Sequence, residues 1–346
     1  MLVTGAGGTI GAELVRQIAT FAPAQMTLLD NSEYLLYSIG LELSEAHPGL
    51  SYSLVLGDVR DRARLDEVMA AETPELVFHA AALKHVPMVE ANPVEGILTN
   101  VVGSRNTADA CRKAGVAAMV LISTDKAINP SSVMGATKRL AESYCQALEI
   151  AGRREGSGGT RFVTVRFGNV LGSTGSVVPL FHRQLAAGGP LTVTHPEMTR
   201  YFMTVREAVE LVLQASALGI AAPADEAGKI YVLDMGEPVK IMDLARQIIR
   251  LAGLRPDKDI QIEVIGLRPG EKLREELFHE AEPVVETGHS GLRLAAPRTA
   301  NLELLGRSLD ELAELCADER GAGAMRLLHH LVPEYQHEPV RDRASR

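Results

Sequence analysis

Residues 2–11, Leu2-Val3-Thr4-Gly5-Ala6-Gly7-Gly8-Thr9-Ile10-Gly11, decide the fold, because they lead from a short apolar strand into a helix. Apolar residues then recur at helical spacing, at Ile10, Leu14 and Ile18. Glycines at this spacing allow a tight turn, close approach of a diphosphate and close packing of the helix. The pattern also fits an ordinary glycine-rich turn. We expect a dinucleotide diphosphate to bind at Gly5, Gly8, Thr9, Ile10 and Gly11.

Three further apolar segments, 26–29, 51–56 and 76–79, end in residues that suit the rest of a dinucleotide. An acid about 20 residues after the glycines can bind the adenosine ribose hydroxyls, although it could instead cap a helix. No Arg or Lys follows it closely to bind a 2′-phosphate, which favours NAD over NADP. Small residues let the backbone close on a flat cofactor, and a carboxylate can accept from the adenine amino group. The predicted NAD contacts are Asp30, Asn31, Ser32, Asp58, Val59, Ala80, Ala81 and Ala82.

Helical segments, such as 62–71 and 100–113, alternate with these strands, as in an α/β protein with a doubly wound parallel sheet. We therefore predict a Rossmann-type NAD-binding domain over residues 1–168, with a core strand at 230–234 returning to it. The segments 169–229 and 235–338 are predicted to form a smaller, mixed α/β C-terminal lobe that binds the substrate. The charged tail 339–346 is expected to be frayed.

The strand predicted at 117–122 ends in Ser123-Thr124-Asp125-Lys126, so a carboxyl and an amine follow two hydroxyls. In an open α/β sheet, ligands bind at the carboxyl ends of the strands. A polar turn that caps the next helix would have a similar composition. This strand end is the candidate catalytic centre.

Composition narrows the class of protein. The chain has 346 residues, 46% of them hydrophobic, and a net charge of -9, which disfavours a nucleic-acid partner. Its three cysteines have no metal-ligand spacing, so we expect reduced thiols in the core and no metal site. No apolar run is long enough to span a membrane, and no signal peptide is recognisable, so we expect no membrane contact from this chain.

Four motifs carry a more specific resemblance. They are residues 81–90 (AALKHVPMVE), 123–127 (STDKA), 166–173 (RFGNVLGS) and 268–272 (RPGEK). In this order, with the glycine turn, they resemble the extended short-chain dehydrogenase/reductases that act on nucleotide sugars. They are most similar to the UDP-N-acetylglucosamine 4,6-dehydratases of polysaccharide biosynthesis. The resemblance implies NAD as cofactor, a UDP-sugar substrate and a homo-oligomer.

The chain departs from the superfamily pattern where YxxxK is expected, because Met134 replaces the tyrosine and only Lys138 remains. A thioether cannot take a proton from a hydroxyl, and methionine there also fits simple core filling. The exchange is similar to a large-form branch of these dehydratases, which carries membrane helices ahead of the catalytic part. We therefore expect a cytoplasmic location and the cytosolic part of a longer, membrane-anchored protein, which would explain the abrupt start at Met1.

The predicted reaction oxidises carbon 4 of the sugar, eliminates water across carbons 5 and 6 and returns the hydride to carbon 6. Thr124 would bond the 4-oxygen, and Asp125 would handle its proton and protonate the departing 6-hydroxyl. Lys126 would take the carbon 5 proton, which requires a lowered pKa, unless it only pairs with Asp125. As the resemblance implies, Lys138 holds the nicotinamide ribose and Asn100 orders the same region.

The substrate is expected to contact the motif residues through its diphosphate and its uridine ribose. Arginine binds a diphosphate well. The predicted contacts are Lys84, His85, Asn169, Val177, Arg200, Arg268 and Glu271, with Glu271 assigned to the ribose hydroxyls. Two other functions stay open at this point. A nucleotide-sugar 4-epimerase would also oxidise carbon 4, but it normally needs the missing tyrosine. A non-catalytic dinucleotide-binding protein would need no proton-transfer group.

Overall fold

A computed structural model gives the structure of the chain and describes residues 1–154, 156, 159–279, 282–317 and 321–336. The tail 339–346, expected to be frayed, lies outside this range. The strands are β1 (Leu2–Thr4), β2 (Met26–Asp30), β3 (Tyr52–Leu56), β4 (Leu76–His79), β5 (Ala118–Thr124), β6 (Arg161–Phe167), β7 (Asn169–Val170), β8 (Leu191–Val193), β9 (Thr199–Arg200), β10 (Phe202–Met203), β11 (Ile230–Leu233), β12 (Val239–Lys240), β13 (Ile262–Val264), β14 (Val284–Glu286) and β15 (Leu292–Ala295).

The helices lie between these strands and after them. They are α1 (Thr9–Thr20), α2 (Glu33–Ala46), α3 (Arg62–Glu72), α4 (Val86–Ala91), α5 (Pro93–Ile97), α6 (Gly103–Ala114), α7 (Val133–Arg154), α8 (Val177–Ala186), α9 (Val205–Ala221), α10 (Ile241–Leu251), α11 (Leu302–Ala317) and α12 (Gly321–Leu331). None of the helices in the described ranges is both long enough and apolar enough to cross a membrane.

Among the described residues, nine strands form one sheet in the order β14-β15-β11-β6-β5-β4-β1-β2-β3. The pairs from β3 to β11 are parallel, and β15 and β14 extend the sheet by antiparallel pairing. The strand order reverses between β1 and β4, which is the switch point where Rossmann folds bind a dinucleotide. The predicted α/β fold with a doubly wound sheet is confirmed.

The central strand β5 is buried on both faces, as expected for a parallel strand covered by helices. Met119 and Leu121 face a core built with α3, α6 and α7. Val120 and Ile122 face the opposite core, built with α1, α2 and α9. Because both faces of β5 are packed in this way, the strand is held firmly in the sheet, and its last residue, Thr124, lies at the sheet's carboxyl end.

A third, smaller core packs between α8, β8 and α10, with Phe181, Leu191 and Ile249 at its centre. Some elements of the C-terminal half pack in this small core, and others pack against the large sheet. Residues of α9 and β15 belong to one large core, and residues of α11 and α12 pack with α7 in the other. Boundaries at 169–229 and 235–338 had assigned these elements to the substrate lobe. Binding of NAD and substrate by separate domains stays a prediction.

His79, at the carboxyl end of β4, gives the fold a testable pH dependence. Its ring lies between Thr4 Oγ1, 2.7 Å from Nδ1, and Ser104 Oγ, 2.9 Å from Nε2. Burial, helped by the charge of Lys138, lowers the pKa of His79 from 6.5 to about 3. Between these values the unfolded chain binds a proton that the folded protein does not, so stability falls as the pH falls. We expect His79 to contribute about 1.4 kcal/mol per pH unit to this loss.

Chemical denaturation of wild type and His79→Gln between pH 6.5 and 4 measures this contribution. The variant should show a shallower fall in the free energy of unfolding with decreasing pH. The matched control is His182→Gln, on the exposed face of α8, which should keep the wild-type slope. Equal slopes for wild type and His79→Gln would disprove the assignment.

Candidate active site

The glycine turn after β1 is closed so tightly that side chains do not fit. Gly5 has a φ of +66°, and a Cβ there would lie 2.7 Å from the Ala81 backbone. A Cβ on Gly11 would lie 1.9 Å from the carbonyl oxygen of Gly5. Gly7, which the sequence analysis did not select, packs against Leu35 and donates its N–H to Asp30 Oδ2 at 2.9 Å. The turn thus presents bare backbone at the start of α1.

Two acids lie at the carboxyl ends of β2 and β3: Asp30 ends β2, and Asp58 follows β3. Asp30 is buried, and its two oxygens accept from the backbone N–H groups of Gly7 and Ser32, each at 2.9 Å. Burial alone would raise the pKa of Asp58, but its hydrogen bonds from Arg60 outweigh burial and lower it. Both carboxylates are therefore held in place by the protein.

The other predicted cofactor residues lie near these acids. Ser32 caps α2 by accepting from Leu35 N, at 3.4 Å, and Val59 is buried against Gly103. The Thr9 hydroxyl accepts from the Thr174 backbone N–H at 3.3 Å, which joins the glycine turn to the loop before α8.

Asn100 lies in a π-helical turn, Leu98–Val102, that precedes α6. Its amide oxygen accepts from Leu83 N at 2.8 Å, and its amide nitrogen donates to Leu83 O and Thr137 Oγ1, each at 3.0 Å. The side chain is fully buried. Asn100 therefore fixes the segment after β4, and its role in binding the cofactor stays a prediction.

Thr124, Asp125 and Lys126 form a hydrogen-bonded cluster at the end of β5. Asp125 Oδ1 accepts from Thr124 Oγ1 at 2.8 Å and from Lys126 Nζ at 2.9 Å. Lys126 Nζ also donates to Asn169 Oδ1 at 2.9 Å and lies 3.6 Å from Glu275 Oε1. The Asp125 side chain is 0% exposed, whereas that of Lys126 is 21% exposed. Only the lysine of this ion pair is open to solvent.

The protonation of Lys126 differs from the expectation. Burial lowers its pKa, but the charges of Asp125 and Glu275 outweigh burial, and the pKa is raised. The predicted base requires a lowered pKa, so Lys126 is an ammonium in this arrangement. A reaction that uses Lys126 as a base must first remove one of its protons.

Met134 and Lys138 lie beneath the cluster, at the start of α7. Met134 is 2% exposed and packs in the core. Lys138 Nζ donates to the carbonyl oxygen of Ile122 at 2.6 Å, and burial lowers its pKa to about 8. A Cβ on Gly135 would lie 2.2 Å from the carbonyl oxygen of Lys126. The glycine thus lets α7 pack directly against the Thr124–Lys126 segment.

A cavity of about 250 Å³ opens beside Lys126. Its lining includes every residue predicted to bind substrate: Lys84, His85, Asn169, Val177, Arg200, Arg268 and Glu271. Of the predicted catalytic residues, Lys126 lines the cavity, while Thr124, Asp125, Met134 and Lys138 do not. The structure therefore brings the substrate motifs together in space, and their binding role stays a prediction.

The cations of the cavity differ in availability. Arg200 donates to the carbonyl oxygens of Thr199 (2.7 Å) and Lys272 (2.8 Å), so it holds the segment that follows the RPGEK turn. Lys84 and the Arg268 guanidinium have no hydrogen-bond or ion-pair partner within the described ranges. Desolvation lowers the pKa of Lys84. These two side chains are the better candidates for contacts with a diphosphate.

Sequence reasoning missed Glu275, which also lines the cavity. Its Oε1 lies 3.6 Å from both Lys126 Nζ and Arg200 Nε, and its buried Oε2 has no hydrogen-bond partner among the residues that the structure describes. The surrounding Lys272-Leu273-Arg274-Glu275-Glu276 looks like a solvated charged segment. The only signal was its position just after the RPGEK motif.

Comparison with known proteins identifies several relatives. A family model described as "Polysaccharide biosynthesis protein" matches residues 1–297. The capsular polysaccharide biosynthesis protein CapD of Staphylococcus aureus is 52% identical over 283 residues, which are 82% of this chain and 45% of CapD. The chain thus spans less than half the length of that relative. Among solved structures, Pen from Bacillus thuringiensis has a TM-score of 0.75 and 33% identity, covering 86% of this chain and 87% of Pen.

Two other relatives are named for different reactions. A UDP-N-acetylglucosamine 4,6-dehydratase (inverting) of Campylobacter jejuni is 34% identical over 278 residues, covering 80% of this chain and 76% of that protein. A UDP-glucose 4-epimerase of Rickettsia canadensis is 38% identical over 237 residues, covering 68% of this chain and 64% of the epimerase. The chain is therefore similar both to a protein named for dehydration and to one named for epimerisation.

Proposed function

Because the chain belongs to the polysaccharide biosynthesis protein family of extended short-chain dehydrogenase/reductases, we propose that it is an NAD-dependent UDP-N-acetylglucosamine 4,6-dehydratase. The product would be UDP-2-acetamido-4-keto-2,6-dideoxyhexose. One observation carries the proposal: an acid and an amine are hydrogen-bonded at the sheet's carboxyl end, and the position of the usual tyrosine holds a buried methionine. Proton transfer therefore falls to Thr124, Asp125 and Lys126.

NAD fits the residues at the switch point. The Gly5–Gly11 turn suits the diphosphate because its tight packing, in which a Cβ on Gly5 or Gly11 would collide with neighbouring backbone, leaves bare backbone at the start of α1. We assign Asp30 and Asp58 to the adenosine half and Lys138 to the nicotinamide ribose. When bound, NAD would accept a hydride from carbon 4 of the sugar and return it to carbon 6.

The first proton leaves the 4-hydroxyl of the sugar. Asp125 is too deeply buried to touch the sugar, but Thr124 Oγ1 donates to its carboxylate at 2.8 Å. Thr124 can pass its own proton to Asp125 while it accepts the proton of the 4-hydroxyl. This relay gives the buried carboxylate the role of a general base, which the absent phenol has in related enzymes.

The second proton leaves carbon 5, which the new ketone at carbon 4 makes acidic. Lys126 lines the cavity and is the amine nearest to the relay, so we assign this proton to it. The UDP group would lie toward Lys84 and Arg268, with Glu271 near the uridine ribose. Asn169 holds Lys126 in position, and Val177 contributes apolar lining.

A 4-epimerase is the alternative that the relatives support. It would oxidise carbon 4 and return the hydride to the same carbon, which requires no amine near carbon 5. The test is to incubate the protein with NAD and UDP-N-acetylglucosamine and to measure the mass of the product. Loss of one water supports the dehydratase, an isomer of unchanged mass supports the epimerase, and an unchanged substrate supports the non-catalytic alternative.

The proposal predicts that Met134 has no role in proton transfer. Met134→Leu conserves volume in the core, so the free energy of unfolding should fall by less than about 1.5 kcal/mol. The rate of product formation should stay near that of the wild type. The reciprocal exchange Leu140→Met, also buried in α7, is the matched control. If Met134→Leu is inactive while Leu140→Met is active, the thioether takes part in the reaction and the assignment is wrong.

A further inference from the structure

Glu275 combines burial with access to the cavity. It is 7% exposed, lines the cavity beside Lys126, and its Oε2 lacks a hydrogen-bond partner in the described part of the chain. We propose that Glu275 takes a proton from Lys126 and delivers it to the departing 6-hydroxyl of the sugar. This inference rests on the proposed dehydratase function and adds a catalytic residue to it.

The hydrogen bonds of Lys126 support the proton transfer. An ammonium group has three N–H bonds, and three acceptors surround Nζ: Asp125 Oδ1 at 2.9 Å, Asn169 Oδ1 at 2.9 Å and Glu275 Oε1 at 3.6 Å. If Glu275 takes the third proton, the first two bonds remain. The lone pair of the neutral amine then points toward Glu275 and the cavity, which is where a base for carbon 5 must act.

The charges in the cluster also allow this exchange. Within the described ranges, Lys126 and Arg200 are the cations that pair with Glu275, and Asp125 is the other carboxylate that pairs with Lys126. Moving a proton from Lys126 to Glu275 replaces a buried ion pair with two neutral groups, which a low-dielectric site favours. Arg200 opposes the transfer by favouring the ionised carboxylate. Glu275 Oε1, which lies 3.6 Å from Lys126 Nζ, can accept the proton without breaking a hydrogen bond, because it makes none among the described residues.

Asp125 is less suited to protonate the leaving group. It does not line the cavity, its Oδ1 accepts from Thr124 and Lys126, and its Oδ2, which also lacks a hydrogen-bond partner among the described residues, lies 3.2 Å from the place where a Gly168 Cβ would be. The side chains of Asp125 and Glu275 are 0% and 3% exposed, so it is contact with the cavity that distinguishes them. The 6-hydroxyl cannot reach Asp125 from the cavity. Glu275 and Lys126 face the cavity together, as needed for an acid and a base that act on adjacent carbons.

The protons balance over the cycle. Lys126 gives a proton to Glu275 and then takes the proton of carbon 5, and Glu275 gives its proton to the leaving hydroxyl, which departs as water. When the hydride reaches carbon 6, Lys126 returns a proton to carbon 5. Asp125, which holds the proton from the 4-hydroxyl, then reprotonates Lys126 across their 2.9 Å hydrogen bond. All three groups end in their starting states.

The test compares Glu275→Gln with the neighbouring Glu276→Gln, whose side chain is half exposed and does not line the cavity, accepts from Asn129 and forms an ion pair with Lys272 at 3.8 Å. We expect Glu275→Gln to lower kcat roughly 10²-fold or more with little change in KM, and Glu276→Gln to resemble the wild type. Rapid mixing of Glu275→Gln with substrate should accumulate enzyme-bound NADH, because oxidation at carbon 4 is intact and elimination is slow. Glu275→Asp, which keeps an acid, should recover part of kcat.

Two results would overturn the inference. One is wild-type turnover in Glu275→Gln. The other is slow turnover without accumulated NADH and with a lower unfolding temperature, since a structural role slows every step. If Glu275→Gln does not fold, the NADH absorbance is measured with Glu275→Asp instead. Accumulated NADH then supports the proposed role of Glu275 as the acid, and wild-type kinetics contradict it. Failure of the wild-type protein to release water refutes the proposed function itself and is recognised before any variant is made.

Discussion

Lys126→Met is expected to lower kcat for dehydration by roughly 10²- to 10⁴-fold, the range that a general acid-base group usually contributes. Methionine keeps much of the length of lysine but cannot take a proton from carbon 5. Oxidation at carbon 4 should still occur, because Thr124 and Asp125 keep their 2.8 Å hydrogen bond. The measurement is steady-state formation of product, together with the absorbance of bound NADH after rapid mixing.

The matched control is Lys113→Met, which removes a lysine from an exposed ion pair with Asp66. Its turnover should equal that of the wild type. Lys126→Met turning over at nearly the wild-type rate would mean that Lys126 only neutralises Asp125. The assignment of the carbon 5 proton would then be wrong, even if the protein is a dehydratase.

Arg166→Leu is expected to lower the free energy of unfolding by about 3–5 kcal/mol, which is typical when one partner of a buried ion pair is removed. Arg166 Nε and one terminal nitrogen donate to the two oxygens of Glu142, at 2.8 and 2.7 Å. Both side chains are almost completely buried. Burial alone would raise the pKa of Glu142, but Arg166 outweighs burial and lowers it, so the substitution leaves a buried charge. Denaturant unfolding measures the loss.

The control is Arg206→Leu, in an ion pair whose side chains are 81% and 49% exposed, and its free energy of unfolding should stay close to that of the wild type, because exposed ion pairs contribute little. The double variant Glu142→Met/Arg166→Leu should be more stable than Arg166→Leu, because it removes both charges. Equal stability of the two variants would show that the loss does not come from the Glu142 carboxylate, which Arg166→Leu leaves with Arg139 Nη1 at 3.7 Å. The pair matters for the site because Ser123, next to Thr124, donates to Glu142 at 2.6 Å.

Most of the sheet could be predicted from the sequence. The strands from β1 to β6 have apolar runs with polar or glycine-rich ends, and helices of clear apolar period separate them. The sequence did not predict the elements whose structure depends on tertiary packing. β14 and β15 are short, and β14 is exposed, so their addition to the sheet edge has no strong local pattern. The helical segment predicted from residue 100 is present, but helix already begins at Pro93, and a π-helical turn at Leu98–Val102 joins α5 to α6.

The candidate site shows the same division. Motifs identified the residues that line the cavity, because each motif follows a strand or turn at the same edge of the fold. The motifs did not indicate how deeply each side chain is buried. Asp125 was expected to touch the sugar, yet its side chain is enclosed and can act only through Thr124 or Lys126. Glu275 and Glu276 are adjacent in the sequence, and only the fold reveals that Glu275 alone faces Lys126.

The most direct test of the central claim, that the cluster around Lys126 moves the carbon 5 proton of a nucleotide sugar, follows hydrogen isotopes through one turnover. UDP-N-acetylglucosamine labelled with deuterium at carbon 4 is converted in ordinary water, and unlabelled substrate is converted in deuterated water. We predict a product lighter by one water, with the label moved to carbon 6 in the first reaction and solvent deuterium at carbon 5 in the second. A product with its label still at carbon 4, or one that gains no deuterium at carbon 5, would contradict the account.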